Sequence, residues 1–182
     1  MQLLKIDNTA LILVDYQGKL ARIVHESDDL HKHMVQLIKG VQLLDIPVIW
    51  LEQYPQGLGP TADDVKKLLD GSQEPIAKMH FSACKDKDFQ ATLKKLGKES
   101  YLVAGIEAHI CVYQTVRELL SDGKYVEYVQ DAISSRTVDN KKIAIDKMNL
   151  LGAFPTSVEM ALFELMETAK HPRFKEISQL IK

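Results

Sequence analysis

An α/β fold, a mostly parallel sheet covered by helices on both faces, is what this 182-residue sequence predicts, and three observations predict it. The first is a set of short, nearly continuous apolar runs. Thr9-Ala10-Leu11-Ile12-Leu13-Val14, Val48-Ile49-Trp50-Leu51 and Tyr101-Leu102-Val103-Ala104 lack the alternation of a half-exposed strand and read as strands buried on both faces. The second is that helical-period stretches separate these runs, as parallel strands require. The third is that ionisable residues stand at or just beyond strand ends: Asp15, Lys78 and Cys111. Open α/β sheets bind their ligands outside the carboxyl ends of the strands. The length suits one domain, read as residues 1–182, with three α/β/α layers.

In chain order, the run ending at Val14 is a central strand. Asp28-Asp29 is read as the cap of a helix with Leu30, Met34, Leu37, Ile38, Val41 and Leu44 on one face. Pro47 breaks it before the second strand. Residues 52–61, with Pro55, Gly57, Gly59 and Pro60, are predicted to be an irregular loop. A short helix over 63–69 leads to a brief strand at Pro75-Ile76-Ala77-Lys78, and residues 86–96 are again helical. The strand at 101–104 runs into a helix over 108–121, where Val112, Val116, Leu119 and Leu120 recur at helical spacing and Asp122-Gly123 ends it. Tyr125-Val126-Glu127-Tyr128-Val129 is the next strand. Ser134-Ser135 is expected to open a helix to about Leu151, and Ala153-Phe154 to be a short last strand. Thr156-Ser157 then caps a helix to about Lys170, and 174–181 is helical.

Composition narrows the function classes. The chain is 46% hydrophobic and 26% charged with a formal net charge of −2, so it offers no general electrostatic attraction for nucleic acid. No apolar run reaches the length of a membrane span. The start, Met1-Gln2-Leu3-Leu4-Lys5-Ile6-Asp7, resembles neither a signal nor a transit peptide. Cys84 and Cys111 are too few for a disulfide framework or a thiolate-rich zinc site and are read as free thiols of a cytoplasmic protein.

Free cysteines are most often small buried filler. Cys111 stands apart because it falls where a strand turns into a helix, whose N-terminus is expected to favour the thiolate. Parallel strands bring their carboxyl ends to one edge, so Asp15 and Lys78 can converge on it. A nucleophile, a base and a cation are the parts that covalent acyl transfer needs. Other features are set aside. His31 and His33, at i, i+2 spacing, face different sides of a helix and suit no metal. Cys84 has no acid or base beside it, and His109 fits the base role less well than Asp15. Ser134-Ser135-Arg136 reads equally as a cap, an interface or a site.

Three segments in register resemble the isochorismatase-like cysteine hydrolases: Leu11-Ile12-Leu13-Val14-Asp15-Tyr16-Gln17, Lys78 with Phe81-Ser82, and Gly105-Ile106-Glu107-Ala108-His109-Ile110-Cys111-Val112. The resemblance covers essentially the whole chain. Glu52-Gln53-Tyr54-Pro55-Gln56-Gly57-Leu58-Gly59-Pro60-Thr61, Gly105-Ile106-Glu107-Ala108 and His171-Pro172-Arg173-Phe174-Lys175-Glu176-Ile177 are similar to the isochorismatase-domain-containing branch. The resemblance implies a six-stranded parallel sheet of Rossmann-like order 3-2-1-4-5-6, with no Gly-x-Gly-x-x-Gly and so no dinucleotide. It implies a catalytic triad of Asp15, Lys78 and Cys111, and a cis peptide at Ile106–Glu107. It further implies an oxyanion hole from the backbone N–H groups of Glu107 and Cys111, and a homo-oligomer.

The reaction so implied is hydrolysis of a small amide or related C–N bond through a cysteinyl intermediate, with no cofactor. Tyr16, Gln17, Tyr54 and Phe81 are the candidate substrate-binding residues. Departures from the family bear on the substrate. The segment at 52–61 has no histidine, so no nicotinamidase-type metal is expected, and a nucleophilic cysteine speaks against isochorismate as substrate. Glu107, if its carboxylate points into the pocket, is expected to repel acidic substrates and to favour a cationic or amide-rich one; if it points out, it bears on nothing. The alternative is an idle member of the family that works as a binding or assembly partner.

Overall fold

The most continuous apolar run of the sequence, Thr9–Val14, forms strand β1, and all six of its residues are buried. In chain order there follow helices α1 (Leu20–Ile23) and α2 (Ser27–Leu43), strand β2 (Val48–Gln53), helices α3 (Pro55–Leu58) and α4 (Asp63–Leu69), strand β3 (Ile76–Lys78) and helix α5 (Lys87–Leu96). Strand β4 (Ser100–Ile106), helix α6 (Tyr113–Ser121), strand β5 (Tyr125–Ser134), helix α7 (Val138–Leu150), strand β6 (Phe154–Thr156) and helices α8 (Val158–Met166) and α9 (Phe174–Ile181) complete it. The computed structural model describes residues 4–71 and 74–182; Met1-Gln2-Leu3, part of the stretch read above for a leader, lies outside them. The six strands pair in the order 3-2-1-4-5-6 and every pairing is parallel, the sheet that the resemblance implied. Among the described residues no helix is long and apolar enough to cross a membrane.

The period-two direction of strand side chains divides the core into two layers. Leu11 and Leu13 of β1, with Trp50, Leu102 and Ala104, pack against Leu30, Met34, Leu37 and Val41 of α2 and against α4 and α8. Ala10, Ile12 and Val14 face the other way, with Ile49, Leu51, Tyr101 and Val103, onto Phe89 of α5, Val116 and Leu119 of α6, and Met148 of α7. Cys111 belongs to this second layer. The continuous apolar runs are thereby explained, because both faces of the central strands are covered.

Several boundaries differ from the sequence reading, each for a local reason. Residues 52–61 are not wholly irregular: Glu52 and Gln53 extend β2 by pairing with β3, and Pro55 starts the helical turn α3, its missing N–H being harmless at a first position. The segment 108–121 is not one α-helix, since Ala108–Val112 is a π-helical turn and α6 begins at Tyr113. β5 continues to Ser134 through an irregular stretch at 129–132, so α7 opens later, with the Thr137 hydroxyl accepting from the Asn140 N–H. Asp28 and Asp29 sit inside the first turn of α2 and do not cap it. α8 ends at Met166, where Glu167 takes a left-handed conformation, rather than near Lys170.

At one point the sheet leaves no room for a side chain. Gly105 holds φ +121°, and a Cβ there would come within 2.0 Å of the Val14 carbonyl oxygen. Gly105→Ala is therefore expected to lose more than about 4 kcal/mol of stability. Gly97→Ala, at φ +61° in open space, should lose only about 1 kcal/mol. Thermal unfolding of the two variants checks this, and similar melting points would contradict the close β1–β4 approach.

Candidate active site

The carboxyl edge of the sheet carries a row of polar side chains that follows the strand order. Lys78 ends β3, Gln53 ends β2, Asp15 follows β1, and Cys111 follows β4 on the π-helical turn. Backbone geometry sets the row. Asp15 adopts φ 49°, a left-handed conformation that aspartate tolerates better than most residues, while its N–H still donates to the Leu51 carbonyl at 3.3 Å. Gln53 and Lys78 are register partners, and the Tyr54 N–H donates to the Lys78 carbonyl at 2.9 Å. The Ile106–Glu107 peptide, which precedes the π-helical turn, is cis.

Lys78, at the β3 end of the row, makes most of the row's side-chain hydrogen bonds. It is only 1% exposed, and its Nζ donates to Asp15 Oδ2 and to Gln53 Oε1, each at 2.7 Å. Its remaining capacity goes to the Phe81 carbonyl at 3.2 Å and the His80 carbonyl at 3.4 Å. An ammonium has three N–H donors, so all are committed to protein oxygens. The other carboxylate oxygen, Asp15 Oδ1, is buried and has no hydrogen-bond partner among the described residues. Cys111 is 6% exposed, and its Sγ–H donates to Gln53 Oε1 at 3.9 Å.

Burial pushes the Asp15 carboxyl above its ordinary range, against the opposing pull of Lys78. Burial also pushes the Cys111 thiol up, the negative charge of Asp15 adds to the effect, and Lys78 works against it. Cys111 lies in the π-helical turn that leads into α6, and desolvation is the largest influence on its thiol. Cys84, buried near Glu118, is likewise raised, to about 12.

The other candidates fall into different places. Gln17 is fully buried and brackets Gln53: its Oε1 accepts from the Gln53 N–H at 2.6 Å, and its Nε2 donates to the Gln53 and Gly59 carbonyls. Tyr16 packs in the α2 layer with its hydroxyl on His31 Nδ1 at 3.2 Å, away from the layer that holds Cys111. Tyr54 and Phe81 are rim residues, Phe81 being 54% exposed. Glu107 is buried, and its Oε1 accepts from the Arg136 backbone N–H at 3.1 Å and from Arg136 Nε at 3.0 Å. Its charge is thus answered by a guanidinium and is not the unpaired one that was expected to repel acids. His109 Nδ1 pairs with Ser135 Oγ at 3.0 Å. Gln53 was not singled out by the sequence. The signal for it was its place at the end of a buried strand, directly before a turn.

A cleft of about 570 Å³ beside His25, His33, Asp131, Lys141 and Met160 includes none of Asp15, Lys78 or Cys111. Chemistry, not volume, locates the candidate site. Among the described residues no cluster of three or more His, Cys, Asp or Glu side chains could hold a metal.

Glu107→Gln tests the pairing with Arg136. The Arg136 side chain is largely exposed, so solvent screening keeps the effect modest, about 1–2 kcal/mol. The expected result is a melting point a few degrees lower, and an unchanged one would show that the contact carries no stability.

Comparison with known proteins sets this site in a wider context. The Isochorismatase domain family matches residues 9–160. Isochorismatase domain-containing protein 2 of Homo sapiens is 36% identical over 179 residues, covering 96% of this chain and 83% of that protein. The solved structure of MAR1 ribonuclease from Caenorhabditis elegans superposes with a TM-score of 0.93 at 36% identity, covering 99% of this chain and 92% of that one. The YcaC gene product of Escherichia coli, described as an octameric hydrolase of unknown specificity, shares the fold with a TM-score of 0.93 at 23% identity, covering 100% and 90%.

Proposed function

Because the chain belongs to the isochorismatase family, an isochorismatase-like hydrolase family, we propose that it is a cysteine hydrolase that cleaves a C–N bond of a small amide through a covalent intermediate on Cys111. The observation that carries the reading is the buried Asp15–Lys78 pair close enough to act on the Cys111 thiol, with Asp15 Oδ1 lacking a hydrogen-bond partner among the described residues. An isolated buried ion pair is a poor stabilising device, and a buried acceptor without a donor is worse. Both make sense where a proton is to be received.

In the proposed reaction the Sγ–H bond breaks, its proton passes to Asp15 Oδ1, and the electron pair stays on sulfur. The thiolate attacks the carbonyl carbon, and the backbone N–H groups of Glu107 and Cys111 stabilise the developing oxyanion. Asp15 returns its proton to the nitrogen as the C–N bond breaks, which leaves a thioester. Asp15 then takes a proton from water, and the hydroxide adds to the thioester carbonyl. The carbon–sulfur bond breaks to give the acid and the thiolate, and Asp15 returns its proton to sulfur. Lys78 supplies a fixed positive charge. Its donors are already committed, so it is ill suited to grip a phosphodiester. With the net charge of −2, this supports amide cleavage over a nuclease reaction like that named for the nematode relative.

The rim residues Tyr54 and Phe81 are proposed to contact the substrate, which suits a small neutral acyl group. Tyr16 and Gln17 would act behind them, by holding the strand ends. We also infer a homo-oligomer. Ile143 and Leu150 of α7, Phe154 of the edge strand β6 and Met160 of α8 are exposed apolar side chains, which supports self-association. Sedimentation should give a dimer or larger species that Leu150→Lys weakens; a monomer at micromolar protein would contradict it.

Ammonia release from a panel of small primary amides, with intact-mass detection of adducts, tests the reaction. The expected outcome is turnover that Cys111→Ser abolishes without loss of folding. Release should fall on the acid side as Asp15 protonates, with an inflection above the ordinary aspartate value of about 3.9, because only the ionised carboxylate accepts the thiol proton. Turnover that survives in Cys111→Ser would overturn the covalent mechanism. Absence of both turnover and Cys111 adducts with any amide or aldehyde would favour the idle, binding-partner reading.

A further inference from the structure

Gln53 touches both the cation and the nucleophile, yet the proposed reaction gives it no step. Every polar atom it has is engaged. Its backbone N–H and carbonyl are bracketed by the Gln17 amide at 2.6 and 3.1 Å, and its Nε2 donates to the Met79 carbonyl at 2.8 Å. Its Oε1 accepts from Lys78 Nζ at 2.7 Å and from Cys111 Sγ–H at 3.9 Å. The amide has one admissible orientation, because a flipped group would point its NH₂ at an ammonium and its oxygen at a carbonyl.

We propose that Gln53 is a positioning residue whose amide oxygen keeps Cys111 as a thiol in the resting protein, so that the nucleophile is released only when its proton is turned toward Asp15 Oδ1. The inference rests on the reading of Cys111 as the nucleophile and adds a control on it. An acceptor aimed at sulfur stabilises S–H and offers nothing to S⁻. It also competes with sulfur for Lys78, whose ammonium acts to lower the thiol pKa. Asp15, whose Oδ1 has no hydrogen-bond partner within geometric reach among the described residues but whose carboxylate acts directly on the Cys111 thiol, is the other available acceptor. Moving the proton there breaks the Sγ–H bond and leaves the pair on sulfur. The charged groups that act on the thiol are Asp15, which follows β1, and Lys78 on β3; Glu52 on β2 acts on Asp15. His109, on the same turn as Cys111, is tied to Ser135.

The test is the rate of iodoacetamide labelling of each cysteine, resolved by peptide mass spectrometry across the acid-to-alkaline range. Cys84 serves as the internal reference for loosened structure. Gln53→Met removes the acceptor at similar volume and frees one Lys78 donor. Cys111 should then label about tenfold faster at neutral pH, the effect of a thiol pKa one unit lower, while Cys84 is unchanged. Gln53→Glu retains an acceptor for Lys78 but adds negative charge beside sulfur, so Cys111 labelling should slow and its alkaline limb move to higher pH. Should Gln53→Met melt early, Gln53→Glu decides alone. Shifts in the same direction in both variants, equal acceleration of Cys84 and Cys111, or an unchanged Cys111 profile would overturn the role of Gln53 while leaving the nucleophile reading intact. Failure of Cys111 to label in any variant, under conditions where Cys84 does, would overturn both.

Discussion

The buried ion pair between Lys78 and Asp15 is the constraint on which the site depends. The two residues belong to β3 and to the turn after β1, strands that are not neighbours but flank β2. The ammonium therefore reaches across the end of β2, and Gln53 lies in its path as a second acceptor. Removing one member of such a pair typically costs about 3–5 kcal/mol, because the other charge is left in a medium that cannot solvate it. The surrounding structure is built to prevent that. Glu52 holds the far end of the 52–61 segment through the Thr61 N–H at 2.6 Å and hydroxyl at 2.7 Å, and Trp50 Nε1 donates to the same hydroxyl.

A consequence follows for the protonation of the site. Thiol, carboxylate and ammonium carry no net charge together, and neither do thiolate, carboxylic acid and ammonium. Transfer of the proton from Cys111 to Asp15 moves charge within the buried cluster without creating any. Burial raises both proton affinities, so each group resists ionising toward solvent. A thiol acidified at rest, as a helix N-terminus would give, is not needed.

Much of the fold was legible because the central strands are buried on both faces. Thr9–Val14 has no polar residue after Thr9, and the period of α2 is equally plain. Legibility failed where a polar residue is buried by pairing. Glu52 and Gln53 looked like the start of a loop, yet they extend β2 because Thr61, Gln17 and Lys78 satisfy their side chains. Exposed Gln130 and half-buried Asp131, whose carboxylate accepts from the Val158 N–H, hid the continuation of β5 into the buried residues 132–134. At the candidate site, Asp15, Lys78 and Cys111 were visible as chemistry-bearing types after apolar runs. Gln53 was not, because a neutral amide carries no such signal, and the pairing of Glu107 with Arg136 spans 29 positions of sequence. Tyr16 shows the opposite failure: adjacency to Asp15 suggested the pocket, but successive side chains diverge, and its ring went to the α2 layer.

The most direct measurement is the pH profile of Cys111 alkylation in Asp15→Asn compared with the unaltered protein. The substitution keeps an oxygen for Lys78 but removes the proton acceptor. The account predicts an acid limb of Cys111 alkylation set by ionisation of Asp15 in the unaltered protein, which disappears in Asp15→Asn. Only the alkaline limb of thiol ionisation then remains, moved to lower pH because the negative charge of Asp15 is gone. An Asp15→Asn protein that keeps the acid limb would show that Asp15 does not receive the proton of Cys111.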